Sequence, residues 1–265
     1  MVKHDLPIRN ILFDIEGTLV FKKRPVPGAV ETVRYIHSAG YKAKFLTNIT
    51  RHSPGAIAKD LQDLGFDIRE EQIQTATSAC IAFLRRQPQK SCHLVVPDAV
   101  VKMFKGILLN DEDPDYVVVS DIGKGFTYEV MDKAFLLLDK GAELIALQKN
   151  MFWFDGERKR LDCGAFVAGL EAASGKHAIV MGKPAAEFFS LALEALSASP
   201  EETIVVGDDV LTDIMGAGRM RSVLVGTGKF QPGHIKPPYG KHTWFIDSVG
   251  DLVSLLKDNA KRSPS

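Results

Sequence analysis

Asp14 and Glu16 stand two residues apart in Asp14-Ile15-Glu16-Gly17-Thr18, directly after the apolar run Ile11 to Phe13. Two carboxylates at that spacing can share a metal ion and divide nucleophilic from acid/base work. The competing reading is an aspartate that only caps a turn. Thr47-Asn48 ends a second short strand pattern, Lys44-Phe45-Leu46-Thr47, and supplies neutral donors suited to phosphate oxygens, although Thr-Asn is also an ordinary turn pair. Gly182-Lys183-Pro184 sets a cation ahead of a helical pattern, where it can neutralise phosphoryl oxygens. No G-x-x-x-x-G-K-[ST] loop accompanies it, and alone it would read as a surface lysine. The last cluster, Gly207-Asp208-Asp209-Val210-Leu211-Thr212-Asp213, follows Ile204-Val205-Val206. Hard oxygen donors of this kind suit magnesium. A pair of aspartates opening a helix is the alternative, but gathered carboxylates repel one another unless a cation joins them.

These residues need rigid elements behind them. Strand patterns fall at Ile11 to Phe13, Lys44 to Thr47, His93 to Val96, Tyr116 to Val119, Leu144 to Leu147, Ala178 to Met181, Thr203 to Val206 and Ser222 to Val225. Helical spacing falls between them: Val30, Val33 and Ile36 closed by Gly40, then a helix from Ser53-Pro54 with Ile57, Leu61 and Leu64. Further helices are expected over Tyr128 to Leu138, Phe166 to Ala173 and Ala186 to Leu196. Repeated β-α alternation predicts an α/β fold, a doubly wound parallel sheet covered on both faces. Ligands then bind outside the carboxyl ends of the strands, where Asp14, Thr47 and Asp208 fall.

Composition excludes several classes. The chain has 265 residues, and 33 Lys plus Arg balance 33 Asp plus Glu, so no global field draws nucleic acid or an acidic membrane. Cys80, Cys92 and Cys163 are few, odd in number and widely spaced, which predicts free thiols in a reducing compartment. No signal-peptide core or membrane-span run is present. A cytoplasmic protein is expected. Met151-Phe152-Trp153-Phe154 reads as core packing, with a substrate-pocket lining or a dimer interface as alternatives. Arg158-Lys159-Arg160 reads as a solvated loop, with contact to an anionic substrate as the alternative, and the tail Lys257 to Ser265 reads as frayed.

Taken in order, D-x-[DE]-G-T, T-N, G-K-P and G-D-D-x-x-x-D resemble the haloacid dehalogenase (HAD) superfamily of phosphotransferases over essentially the whole chain. Asp113-Pro114-Asp115, Phe126-Thr127-Tyr128, Gly164-Ala165-Phe166-Val167 and Thr227-Gly228-Lys229 are similar to the NagD-like, type IIA capped subfamily. Within it, the chain is similar to the branch of the haloacid dehalogenase-like hydrolase domain-containing protein 2 and phospholysine phosphohistidine phosphatase.

The resemblance implies a HAD-like catalytic core over residues 1–78 and 178–265, with an α/β cap inserted at 79–177. It implies Asp14 as nucleophile, and a magnesium ion bound by Asp14, by position 16 through its backbone carbonyl, and by Asp208. Thr47, Asn48 and Lys183 would hold the phosphoryl group, with Asp209 and Asp213 in support, Asp213 through water. The expected reaction is hydrolysis of a phosphate monoester on a small phosphorylated metabolite, with no nucleic acid or membrane partner. Homodimerisation through the cap is left open. Position 16 departs from the family, which usually has Asp there as acid/base. Glu reaches about 1.5 Å further, one C–C bond, and a misplacement near 1 Å can cost on the order of 10²-fold. The enolase-phosphatase branch resembles this chain at D-I-E-G-T, so Glu16 is assigned the acid/base role. Two rivals remain: a phosphate-binding regulatory protein weakened by Glu16, and a phosphotransferase passing the group to an acceptor other than water.

Overall fold

The computed structural model describes residues 6–155, 158–230 and 243–262. In chain order the first elements are β1 (Asn10–Asp14), β2 (Val20–Phe21), β3 (Arg24–Pro25), α1 (Ala29–Ser38), β4 (Lys42–Thr47), α2 (Pro54–Asp63) and β5 (Ile73–Thr75). There follow α3 (Ala76–Arg85), β6 (Ser91–Val95), α4 (Asp98–Val101), β7 (Leu108–Leu109), β8 (Tyr116–Val119), α5 (Tyr128–Asp139), β9 (Glu143–Ala146), β10 (Phe152–Asp155), β11 (Arg158–Leu161), α6 (Cys163–Ser174) and β12 (Ile179–Val180). The chain closes with α7 (Ala186–Leu196), β13 (Thr203–Gly207), β14 (Arg221–Val225), β15 (Thr243–Ile246) and α8 (Leu252–Arg262). No helix among the described residues is long and apolar enough to cross a membrane.

Two compact units result. One comprises Met1–Thr47, Pro54–Gln74 and Lys183–Ser265, the other Asn48–Ser53 and Thr75–Gly182. The first holds a six-stranded sheet in the order β15-β14-β13-β1-β4-β5. Its central strand β1 is buried along its whole length and pairs in parallel with both β13 and β4. An uninterrupted apolar run such as Ile11-Leu12-Phe13 suits a strand covered on both faces, whereas alternation would suit a half-exposed one. Phe13 and its register partner Phe45 stack with ring centroids 5.6 Å apart, a pair worth about 1 kcal/mol beyond its buried area. From β1 the chain moves out one way to β4 and β5 and later the other way to β13, β14 and β15. That reversal opens a crevice at the carboxyl ends of β1 and β13.

The second unit is built on a five-stranded sheet ordered β12-β9-β8-β6-β7, with every recorded pair parallel. Successive β8 side chains point to opposite faces. Tyr116 and Val118 join the cluster of Leu84, Cys92 and Phe104, while Val117 and Val119 join that of Leu137, Leu138 and Val167. Both faces are therefore covered by helices, as the continuous Val117-Val118-Val119 run requires. Cys80, Cys92 and Cys163 are buried free thiols of this unit.

Three expectations need correction. Met151-Phe152 and Arg158-Lys159-Arg160 are neither core nor loop. They belong to or adjoin the antiparallel hairpin β10–β11, with Met151 51% and Phe152 47% exposed. The side chains of Trp153 and Phe154 lie outside the described residues. The tail is not frayed from Lys257, because α8 runs to Arg262 on the apolar positions Leu252 and Leu256, both buried; residues 263–265 lie outside the described residues.

Candidate active site

Asp14 is the last residue of β1 and is 6% exposed. The Thr18 hydroxyl donates to its Oδ2 at 3.2 Å, and the Lys183 ammonium donates to its Oδ1. Lys183 is equally buried and also donates to Asp213 Oδ1 at 2.6 Å. Asp213 Oδ2 accepts the backbone N–H of Asp209 at 3.1 Å. Asp208 follows the end of β13 and takes the Lys229 backbone N–H on Oδ2 at 2.5 Å. Carboxylate oxygens of Asp14, Asp208 and Asp213 all lie within 4.8 Å of one another.

The loops around this cluster fit because two residues lack a side chain. Gly17 (φ 96°) and Gly228 (φ 62°) lie in the left-handed region, and a Cβ on either would collide with the Asp208 carboxylate. The Thr227 hydroxyl donates to Gly17 O at 2.6 Å, tying the two loops together. Asp213 is aimed by a single π-helical turn, Val210–Ile214, a form concentrated at functional sites. Asp209 caps that turn, accepting the N–H groups of Leu211 at 2.9 Å and Thr212 at 3.3 Å and pairing with the Lys229 ammonium at 3.1 Å.

Among the described residues, three buried carboxylates around one buried ammonium leave negative charge in excess. Burial pushes Asp14 up to about 6, with Asp208 adding to the rise and Lys183 opposing it. Asp208 is likewise raised by burial to about 6, and Asp213 to about 7, each with Lys183 opposing. Burial works against the Lys183 charge, yet Asp14 and Asp213 hold its pKa above the ordinary lysine value. Glu16 is exposed, and its pKa is raised, first by partial desolvation and then by the Asp14 carboxylate, with Lys229 opposing. For Asp209, burial pushes upward, but Lys229 and the two amides it caps hold it below the usual range. A site with several hard oxygen donors, excess negative charge and little room fits a small divalent cation.

The structure thus gathers Asp14, Lys183, Asp208 and Asp213. Thr47 is buried at the end of β4, one residue past Leu46, the register partner of Asp14. Asn48 is the next residue in the chain and opens the second unit's first segment. Asp213, expected in support of the metal through water, is in the structure an ion-pair partner of Lys183. The helix-start reading of the Asp208-Asp209 pair holds for Asp209 alone, which is a cap as well as a neighbour of the cluster. Thr18 and Lys229 were assigned no role from sequence. Their signal was present in the Thr of D-x-[DE]-G-T and in Thr227-Gly228-Lys229 after a strand, but which carboxylate each serves depends on how the loops fold back.

The chain is similar to known proteins along nearly its whole length. A family model described as haloacid dehalogenase-like hydrolase matches residues 11–108, and a HAD-hydrolase-like model matches residues 180–252. The chain is 33% identical over 263 residues to the phospholysine phosphohistidine inorganic pyrophosphate phosphatase of Homo sapiens, covering 96% of each chain. It is 36% identical over 255 residues to the Homo sapiens haloacid dehalogenase-like hydrolase domain-containing protein 2, covering 94% of this chain and 97% of that one. Among solved structures, NagD from E. coli K-12 superposes with a TM-score of 0.86 at 29% identity, covering 93% of this chain and 98% of that one. The 4-nitrophenylphosphatase of Thermotoga maritima gives 0.85 at 25% identity, with coverage of 93% and 97%.

Proposed function

The chain belongs to the haloacid dehalogenase-like hydrolase family, and on that premise we propose that it is a magnesium-dependent phosphatase of small-molecule phosphate monoesters that works through an aspartyl-phosphate on Asp14. The observation that carries the reading is a buried carboxylate at the end of the central strand, held between a hydroxyl and an ammonium beside two further carboxylates.

Asp14, Asp208 and the backbone carbonyl of residue 16 would hold the magnesium ion, which supplies charge stabilisation for the transferring phosphoryl group. Lys183 keeps Asp14 ionised despite burial and, with Thr47 and Asn48, holds phosphoryl oxygens in line with the attack. Asp213 holds Lys183 in place. An Asp14 oxygen attacks phosphorus while the bond to the ester oxygen breaks, and Glu16 gives its proton to the leaving oxygen. Glu16 then takes a proton from water as that water attacks the aspartyl-phosphate, releasing phosphate and restoring Asp14. The raised pKa of Glu16 suits the first of these roles, because an acid that keeps its proton nearer neutrality donates it more readily in the working pH range.

Residues 48–53 and 75–182 would serve as the substrate-selecting cap. The chain first enters these residues after Thr47 and last leaves them before Lys183, with Pro54–Gln74 belonging to the first unit between the two segments. Incubating the purified protein with 4-nitrophenyl phosphate tests the whole reading. Turnover should require magnesium, be poorly supported by calcium, and leave a hydroxylamine-sensitive phosphoryl adduct on Asp14. Turnover that survives exhaustive chelation would remove the metal from the mechanism.

A further inference from the structure

Lys22 (φ 50°) and Lys23 (φ 62°) form the two-residue tip of the β2–β3 hairpin, with Phe21 paired to Arg24 and Val20 to Pro25. Positive φ at both tip positions defines a type I′ turn, which favours Asn-Gly because other side chains crowd the backbone there. Two lysines are poor residues for this turn, and packing does not explain them, since residues 21–24 are all exposed. Among the described residues, Lys22, Lys23 and Arg24 have no carboxylate partner; the Lys22 ammonium rests over the Phe21 ring at 5.4 Å. In a chain of zero net charge, three consecutive unpaired cations are a local excess. Their position is also specific. The hairpin grows from the catalytic loop, with Gly17 N–H donating to Val20 O at 2.7 Å and residue 16 bridged to residue 20. Lys22 is two residues past Val20, roughly 7 Å of strand, and a flexible stem carries its charge further.

The crevice floor has the opposite character, with carboxylates in excess. It suits a cation and the one phosphoryl group that the cation holds, and it repels any additional negative charge on a substrate. We propose that the Lys22-Lys23-Arg24 tip recognises a second anionic group, of the carboxylate or phosphate class, on the substrate whose phosphoryl group Asp14 receives. This deepens the functional reading above and rests on it. Unfavourable turn residues kept for their charge predict a trade-off that a purely structural hairpin would not produce.

The test exchanges both tip residues for the turn's preferred pair, Lys22→Asn with Lys23→Gly. The double variant should melt higher, by roughly 2–6 °C, as turn strain is relieved. Its kcat/KM for 4-nitrophenyl phosphate, which carries only the phosphoryl charge, should stay within about twofold. For 3-phosphoglycerate, which adds a carboxylate, kcat/KM should fall by about tenfold at low salt, or its Ki as a competitive inhibitor should rise as much, and the gap should narrow in high salt. Equal losses on both esters would make the hairpin a prop for the catalytic loop and overturn the proposal, as would unchanged values on both. A wild type that turns over neither ester refutes the functional reading instead. The recognition claim is then decided by calorimetric binding of 3-phosphoglycerate to the metal-loaded protein, which the double exchange must weaken.

Discussion

Two residues past the end of β8 the second unit carries Asp121, and at the end of β1 the first unit carries Asp14; both are carboxylates at the carboxyl side of parallel strands. Asp121 has its own partners, pairing with Arg51 at 2.8 Å and accepting the Gly123 N–H at 2.9 Å. Asp14 shares a single buried ammonium with Asp213, has Asp208 beside it, and is driven up to about 6. Among the described residues, one end is electrostatically balanced and the other has carboxylates in excess of cations. A protein tolerates such a deficit where function requires it, since buried like charges work against the folded state. The imbalance, more than the presence of an aspartate, distinguishes the reactive strand end from the structural one.

The sharpest way to break this comparison is Asp14→Asn. Turnover should fall on the order of 10⁴-fold or more, while the melting temperature should hold or rise because one of the crowded carboxylates becomes neutral. Substantial activity in that variant would make Asp14 as ordinary as Asp121.

Glu16→Gln comes next, with an expected loss of about 10²- to 10⁴-fold, the usual share of general acid–base catalysis. Magnesium and phosphate binding should persist, and Glu16→Asp should retain more activity than Glu16→Gln. Comparing a good with a poor leaving-group ester separates the two proton transfers. Equal slowing on both points to failed breakdown of the aspartyl-phosphate, and slowing confined to the poor ester points to failed protonation of the leaving oxygen. Wild-type rates on both would make Glu16 structural.

A smaller effect concerns pH. Asp14 and Asp208 are raised to about 6 without a cation, so below that pH a metal ion must displace protons that it need not displace above it. Magnesium affinity should therefore be nearly constant above pH 7 and weaken as pH falls, by roughly 10- to 100-fold at pH 5 for one or two displaced protons. Calorimetry in buffers of differing ionisation heat counts those protons. Affinity that is flat down to pH 5 would mean that the carboxylates are not in deficit.

The mildest expectation lies at the balanced end. Arg51 is 47% exposed, so Arg51→Ala should cost less than about 1 kcal/mol, readable as a small shift in melting temperature. A loss of several times that size would show that the second unit also stores much of its stability in charge pairing.

The chemistry-bearing residues were legible because each sits in a short local pattern. An apolar run ending in Asp, Thr or Gly-Asp can be read as a strand emptying into a loop, and Tyr116–Val119 and Ala186–Leu196 fall where periodicity put them. Strands such as β5, with only Ile73-Gln74-Thr75 to identify it, were not legible, because three residues carry no period. Nor was the assignment of Asn48–Ser53 to the second unit, since a six-residue segment takes its allegiance from what packs on it, as where the Thr77 hydroxyl donates to Thr50 O.

By itself the sequence determined the alternation of strands and helices, the order of the motifs and hence the family, all of which depend on neighbouring residues or on linear spacing. Only the tertiary structure decided which carboxylates meet. Asp213 entered the cluster because a π-turn aims it at Lys183, Asp208 lies close to Asp14 because β13 pairs with β1, and both loops close over them because Gly17 and Gly228 leave room. Proximity between residues nearly two hundred positions apart arises from strand order and loop closure, and no local pattern records it.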